Sequence, residues 1–147
     1  MKTCGLPFIP FFVLFVVAST FVLSCGSSNR ITVPGCGSFA SSNETGSLQS
    51  VTVCPAVADA QGSSIQFTAI GTYTTSPSPA LMPTGVIWGA CQQGQLTSDV
   101  TVANGLAKCA SGASGTYTVW ATGNPVCNVI GPCGACGPTG NAELTCP

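Results

Sequence analysis

Ten cysteines are the residues of this 147-residue chain whose side chains could do chemistry. Thiols bind metals, exchange disulfides or cross-link a chain, depending on their spacing and on the redox state of the compartment. Cys133 and Cys136 form a CxxC motif, which occurs in thiol oxidoreductases and, with further cysteines such as Cys36 and Cys127, in zinc sites. The motif lies among glycines and prolines with no helical pattern, so both chemistries are alternatives and not the main hypothesis.

Other catalytic groupings are missing from the sequence. The chain has no histidine, which excludes CxxCH haem attachment and any triad that contains histidine. Its four acidic residues, Glu44, Asp59, Asp99 and Glu143, are isolated from one another in sequence. The three basic residues form no patch, so nucleic acid is not an expected partner. We therefore expect a protein without enzyme activity, cofactor or resident metal.

The N-terminal segment has the pattern of an export signal. Lys2 precedes an almost wholly apolar run over Leu6–Leu23, and a small residue, Ser24, stands before Cys25. The stretch Val22-Leu23-Ser24-Cys25 resembles the lipobox of bacterial lipoproteins, which are cut before the cysteine and acylated on it. The resemblance implies that Cys25 anchors the protein to a membrane of the cell envelope. In that family, Ser27 in place of an aspartate favours the outer membrane.

A transmembrane helix and an ordinary secretory peptide are the alternatives for this segment. Pro7 and Pro10 disfavour one regular helix, and no basic cluster follows the apolar run. We expect three parts: a signal peptide over 1–24, the lipidated cysteine with a Ser/Gly-rich tether over 25–47, and a domain over 48–147. A flexible tether of that length would have an end-to-end distance of about 25 Å.

An exported chain of this size with an even set of cysteines is expected to form disulfides. Eight cysteines allow about 105 connectivities, so the count alone cannot choose the pairs. The set leaves out Cys4 in the signal and Cys25, and its members are Cys36, Cys54, Cys91, Cys109, Cys127, Cys133, Cys136 and Cys146.

Short runs of alternating apolar and polar residues recur after residue 47, separated by turn signals. Ala103-Asn104-Gly105 is a hairpin signal between two of them, and no helical period of useful length follows residue 25. About seven strands of this kind predict an all-β, antiparallel sandwich. The predicted strands are Leu48–Val53, Ser64–Tyr73, Val86–Trp88, Asp99–Val102, Leu106–Cys109, Gly115–Thr122 and Ala142–Cys146, with Ala56–Ala60 as an edge segment.

Residues 48–146 resemble a bacterial Ig-like domain of group 2, and with the lipobox they are similar to small acidobacterial lipoproteins. The resemblance implies an Ig-like sandwich that serves in binding, adhesion or spacing. The chain departs from that family in its cysteine content and in a long connection, Gly123–Gly140, between the last two strands. The motifs that carry the resemblance are Val51-Thr52-Val53-Cys54-Pro55, Ile65-Gln66-Phe67-Thr68-Ala69, Gly71-Thr72-Tyr73, Val86-Ile87-Trp88, Val102-Ala103-Asn104-Gly105-Leu106 and Gly115-Thr116-Tyr117-Thr118-Val119.

That topology, taken as a working hypothesis, divides the cysteines between the two ends of the sandwich. At one end we expect Cys91–Cys109 and, as its companion, Cys54–Cys146. At the other end we expect Cys36 to pair with one of three cysteines of the long connection, the remaining two pairing with each other. Those three are Cys127, Cys133 and Cys136.

Three aromatic residues, Trp88, Tyr117 and Trp120, are expected to differ in whether they face the core. Trp88 and Tyr117 are expected in the core, whereas alternation turns Trp120 away from it. Trp120 is then either covered by the long connection or exposed as a platform for a sugar or a protein.

The resulting hypothesis is an exported, non-catalytic module, held to the membrane by its lipid, that meets a protein or a glycan at the cell surface. A carbohydrate-binding module that uses Trp120 and a CxxC thiol oxidoreductase are the alternatives.

Overall fold

The structure is a computed structural model, and it describes residues 29–123, 133 and 137–147. These residues form strands and turns and contain no helix. The thirteen strands of this part of the chain are β1 (Arg30–Val33), β2 (Gly37–Ala40), β3 (Leu48–Cys54), β4 (Val57–Asp59), β5 (Ile65–Gln66), β6 (Thr68–Tyr73), β7 (Ala80–Leu81), β8 (Ile87–Gln92), β9 (Gln95–Leu96), β10 (Val100–Ala103), β11 (Leu106–Cys109), β12 (Gly115–Thr122) and β13 (Thr139–Cys146).

The strands build two layers. The first layer contains β10-β11-β5 and β1-β2-β7-β6-β3, which are joined because β5 and β6 are successive parts of one run interrupted at Phe67. The second layer has the order β4-β13-β12-β8-β9. With β3, β5–β6, β8, β10, β11, β12 and β13 taken as strands A to G without gaps, this is the strand order of an Ig-like sandwich. The predicted all-β sandwich is therefore confirmed.

The core lies between the layers and is built by residues that alternate along the central strands. In β12, Tyr117, Val119 and Ala121 are at most 2 % exposed, and they pair in register with apolar residues of β13 and β8. Phe67 and Leu144 are equally buried. Tyr117 and the half-buried Trp88 pack in this core, as the alternation predicts.

The hairpin predicted at Asn104-Gly105 is present between β10 and β11. Asn104 has φ of 50° and Gly105 has φ of 79°, the left-handed backbone that a tight hairpin turn needs at both central residues. A side chain at Gly105 would also meet the carbonyl oxygen of Phe67, since a Cβ there would lie 2.2 Å from it. The turn therefore holds the gap between β5 and β6 in place.

The tether predicted over 25–47 is wrong from Arg30 onward. β1 and β2 form an antiparallel hairpin, and Ala40 of β2 pairs with Ala80 of β7. The segment after the hairpin is also fixed, by Asn43, which is 3 % exposed. Ser, Gly and Thr are as frequent in edge hairpins and turns as in linkers, so composition did not separate the two. Strands β1, β2, β7 and β9 were not predicted; β1 and β2 lie in the segment assigned to the tether, and β7 lies in a proline-rich stretch.

Asn43 acts as a clamp on the connection that leads into β3. Its amide nitrogen donates to the carbonyl oxygens of Thr75 at 2.7 Å and Pro77 at 2.8 Å. Its side-chain oxygen accepts the backbone N–H groups of Thr45 at 3.0 Å and Gly46 at 2.8 Å. Asn43 is therefore a buried residue that serves the fold.

Candidate functional site

Three disulfides are the chemical feature that the described residues assemble from the predicted cysteines. They are Cys36–Cys54, Cys91–Cys133 and Cys109–Cys146, with Cα–Cα distances of 6.1, 6.1 and 6.0 Å. The predicted pairs Cys91–Cys109 and Cys54–Cys146 are wrong, and so is the predicted pairing of Cys36 with a cysteine of the long connection, because Cys36 is bonded to Cys54. Cys25, Cys127 and Cys136 lie outside the described residues.

The prediction of pairs failed because it placed cysteines by strand end and ignored the face of the strand. In β8, Ala90 pairs with the core residue Val119, so the next residue, Cys91, points to the outer side of the second layer. In β11, Ala107 belongs to the core, and Cys109 shares its face. Cys91 and Cys109 therefore lie on opposite sides of one layer and cannot meet.

The Cys109–Cys146 disulfide is the one that lies inside the sandwich. Cys146 is 2 % exposed and belongs to the core, and Cys109 packs against that core. The bond joins β11 of the first layer to β13 of the second. It closes the core where the two layers come together at one end.

The Cys36–Cys54 disulfide ties the β1–β2 hairpin to the outer side of the first layer. Cys54 follows the core residue Val53, so it points outward. Ile70 also points outward, because its neighbour Ala69 is in the core, yet Ile70 is only 5 % exposed. Ile70 pairs with Thr52, two residues before Cys54. The bond therefore lies on the side of the first layer on which the apolar Ile70 is buried.

The Cys91–Cys133 disulfide lies on the outer side of the second layer. Trp120 points outward there, as its position opposite Val119 requires, but it is 3 % exposed. Cys133 comes from the connection between β12 and β13. A second contact of that connection is made at Thr122, whose Oγ1 donates to the carbonyl oxygen of Pro138 at 3.0 Å. The hypothesis of an exposed Trp120 as a binding platform is therefore wrong, because the residue is covered.

Gly89 makes room for the tryptophan ring, and no pattern in the sequence indicates this. Gly89 pairs with Trp120 across β8 and β12. A Cβ at residue 89 would lie 2.4 Å from Cζ2 and 2.5 Å from Cε2 of that ring. Trp120 therefore lies flat across the neighbouring strand at a position where any other residue would collide with it.

Two buried polar atoms have no hydrogen-bond partner among the described residues: the Trp120 Nε1 and the Tyr73 hydroxyl. Tyr73 is 8 % exposed, and its ring lies over Gly71, where a Cβ would be 2.7 Å from the hydroxyl oxygen. Burial raises the pKa of Tyr73 above 10.0 because the phenolate would lose its hydration.

Three cavities border the described part of the domain. One of about 380 Å³ lies at the end of the sandwich between Leu48, Tyr73 and Met82. A neighbouring one of about 310 Å³ lies beside Phe67 and Trp88, and both border the segment 82–86. A third, of about 610 Å³, lies near Lys108 and Pro147. Each lining mixes apolar residues with several polar ones, such as Asn104 in the second cavity, Glu44 in the first and Lys108 in the third.

Two acidic residues, Asp59 and Asp99, make hydrogen bonds that serve the fold. Asp59 accepts the backbone N–H of Gln61 at 3.0 Å, and Asp99 accepts the hydroxyl of Tyr117 at 3.4 Å. Within 29–123, 133 and 137–147, no cluster of three or more His, Cys, Asp or Glu residues could hold a metal ion.

The disulfides also disfavour the two alternatives for the CxxC motif, a redox pair and a zinc site. Cys133 is bonded to Cys91 and not to Cys136, so the two cysteines of the motif do not form the redox pair that an oxidoreductase uses. Cys36 and Cys133 are in two different disulfides, so neither offers a thiolate to the zinc set considered from the sequence.

Among the residues that the structure describes, no helix has the length and apolar character needed to cross a bilayer. No family model matches the chain, and no curated protein matches it. Its resemblance to lipoproteins and to group 2 bacterial Ig-like domains therefore stays a prediction.

Proposed function

We propose that this chain is an exported, lipid-anchored module of the bacterial cell envelope that works without catalysis, by binding, adhesion or spacing at the cell surface. The observation that carries the proposal is the placement of the three disulfides of the described residues: one closes the core, and the other two lie on the outer sides of the two layers. Disulfides of this kind persist in oxidising compartments and indicate an extracytoplasmic location.

The anchor is supported by the sequence around Cys25. An apolar run that ends in Leu23-Ser24-Cys25 suits cleavage before the cysteine and acylation on it, and Ser27 favours the outer membrane. Acyl chains contribute about 0.8 kcal/mol for each buried CH₂ group, so several chains give lasting attachment.

The covered faces limit where a partner could bind. In an Ig-like sandwich the outer side of a layer is one available surface, but here Ile70 and Trp120 are buried beneath other parts of the chain. Strand edges and the loops at the ends remain, and Val57 on the edge strand β4 is 65 % exposed. We infer that a protein or glycan partner would meet these edges and loops.

The intact mass of the full chain, purified from the membrane fraction before and after reduction, tests the anchor. The expected mass lacks residues 1–24, carries acyl groups, and rises on reduction by two hydrogens for each disulfide. A Cys25→Ser variant should lose the acyl mass and leave the membrane fraction. Recovery of the unprocessed chain from the cytosol with free thiols would contradict the proposal.

A further inference from the structure

We infer that the β1–β2 hairpin lies against the lipid headgroups of the bilayer that holds Cys25, with Arg30 and Ile31 at the lipid surface. The inference rests on the proposed lipid anchor and adds to it the face of the domain that meets the membrane.

The first step is the length of chain between the anchor and the fold. Only Gly26, Ser27 and Ser28 separate Cys25 from Asn29, which immediately precedes β1. Four Cα–Cα steps span at most about 14 Å when fully extended. Asn29 is therefore held close to the cysteine that carries the lipid.

The second step is that the hairpin cannot act as a spacer. It is bonded to β3 through Cys36–Cys54 and to β7 through the Ala40–Ala80 pair. The chain that follows it is held by four hydrogen bonds of the Asn43 side chain. Two are to backbone groups of the next residues, 45 and 46, and two are to backbone groups of residues 75 and 77. The domain must therefore follow its first strand to the membrane.

The third step is the chemistry of the strand that arrives there. Ile31 is 44 % exposed, one of the few large apolar side chains of the described residues with such exposure. Arg30, the preceding residue, is also exposed and points to the opposite face of β1. Both residues reach the lipid because β1 is the outer edge strand of its sheet and meets the membrane with that edge. The Arg30 guanidinium donates to the carbonyl oxygen of Ser38 on β2. An aliphatic group next to an arginine suits the boundary between phosphates and acyl chains.

Electrostatic attraction is a minor part of this contact. One basic residue near an anionic surface contributes about 1 kcal/mol. Glu44 is exposed a few residues after the hairpin, and its negative charge offsets the positive charge of Arg30. The short connection to the anchor therefore holds the hairpin at the membrane, and the apolar Ile31 makes the contact.

Fluorescence quenching in vesicles tests the inference. The full, acylated chain with Ile31→Trp is reconstituted in phosphatidylethanolamine–phosphatidylglycerol vesicles that contain brominated acyl chains. The matched control is Leu106→Trp, because Leu106 is 45 % exposed and lies far from the hairpin along the first layer. Its strand, β11, pairs with β5, whereas β7, which carries the hairpin, pairs with β6. After subtraction of the parent signal from Trp88 and Trp120, quenching of Ile31→Trp should exceed that of Leu106→Trp by about twofold or more, since bromine quenches over short range at the interface.

A longer connection supplies the second arm. Insertion of about twenty Gly and Ser residues before Asn29 adds a spacer of about 25 Å and should lower quenching of Ile31→Trp to the control level while acylation is retained. An acylated chain in which the two tryptophans are quenched equally, or in which the insertion changes nothing, would overturn the inference alone. A chain without acyl mass would overturn the proposed anchor together with it.

Discussion

Gly89 and Tyr73 show how single residues set the packing on either side of the layers. Because Gly89 has no side chain, the Trp120 ring can lie across β8. Tyr73 keeps a hydroxyl in a buried position where no described residue bonds to it. The first position cannot be guessed from the sequence because glycine in a strand also marks bulges and turns. The second could not be foreseen, since burial of a tyrosine hydroxyl depends on how the ring lies.

Gly89→Ala should lower the free energy of unfolding by about 1–3 kcal/mol, because the added methyl group forces the buried ring to move. The shift of the ring should also change the fluorescence maximum of Trp120. Thr116→Ala, at an exposed position on the same strand as Trp120, is the control and should change stability by no more than about 0.5 kcal/mol. Urea unfolding with intact disulfides measures both. Equal effects of the two substitutions would contradict the proposed role of Gly89.

Tyr73→Phe should leave stability unchanged or raise it by about 1 kcal/mol, since it removes a buried hydroxyl that lacks a partner. Tyr117→Phe is the matched change, and it should destabilise because it removes the hydrogen bond to Asp99. Urea unfolding at neutral pH measures the difference between the two variants. A larger loss for Tyr73→Phe than for Tyr117→Phe would show that the Tyr73 hydroxyl has a partner.

The same substitution carries a pH dependence. A tyrosine whose pKa is raised in the folded state contributes stability that is fully present below pH 10.0 and is lost as the pH rises through the folded-state pKa. The free energy of unfolding of the parent should therefore fall above pH 10.0 more steeply than that of Tyr73→Phe. Unfolding curves at stepped alkaline pH, read against the variant, measure this slope.

The elements that cover the outer faces are the part of the fold that the sequence did not predict. Strand patterns located β3, β5, β6, β8 and the strands from β10 to β13, and β4 was expected as an edge segment. Neither the β1–β2 hairpin nor the connection that carries Cys133 has such a pattern, because both segments are rich in Gly, Ser and Pro. The disulfide partners depend on these same segments, so an error in placing the segments became an error in pairing.

Loss of one covering bond should expose one face and leave the other intact. In Cys91→Ala/Cys133→Ala, Trp120 should shift its emission to longer wavelength and become accessible to acrylamide. Cys36→Ala/Cys54→Ala should leave Trp120 protected. In the chain-entropy model the two losses cost about 4 and about 3 kcal/mol, because the bonds span 42 and 18 residues. Acrylamide quenching of both variants compares them, and equal protection of Trp120 would show that the bond does not hold its cover.

At the scale of the whole molecule, the three disulfides couple folding to the compartment in which it takes place. A domain of this size has a small core, and covalent cross-links add to it by restricting the unfolded chain. The fold class followed from strand spacing alone. The ligand did not, because no group of reactive side chains converges within the described residues.

Production in an oxidising compartment should therefore yield a protein that unfolds cooperatively, whereas the reduced chain should unfold at a much lower urea concentration. The change in midpoint on addition of a thiol reductant at fixed pH measures the joint contribution of the bonds. A reduced chain as stable as the oxidised one would show that the core is sufficient by itself.

The positions of the two basic side chains in the described part, Arg30 and Lys108, have a further consequence. Arg30 is in β1, and Lys108 pairs with Thr101 inside the β10–β11 hairpin, so neither lies on a loop. Trypsin-like proteases cleave after such residues and need a locally extended, unpaired segment to do so. If the strand opened and were cut after Lys108, the two pieces would stay linked through Cys91–Cys133. The few basic residues and the bonds together make the folded surface a poor substrate for digestion outside the cell.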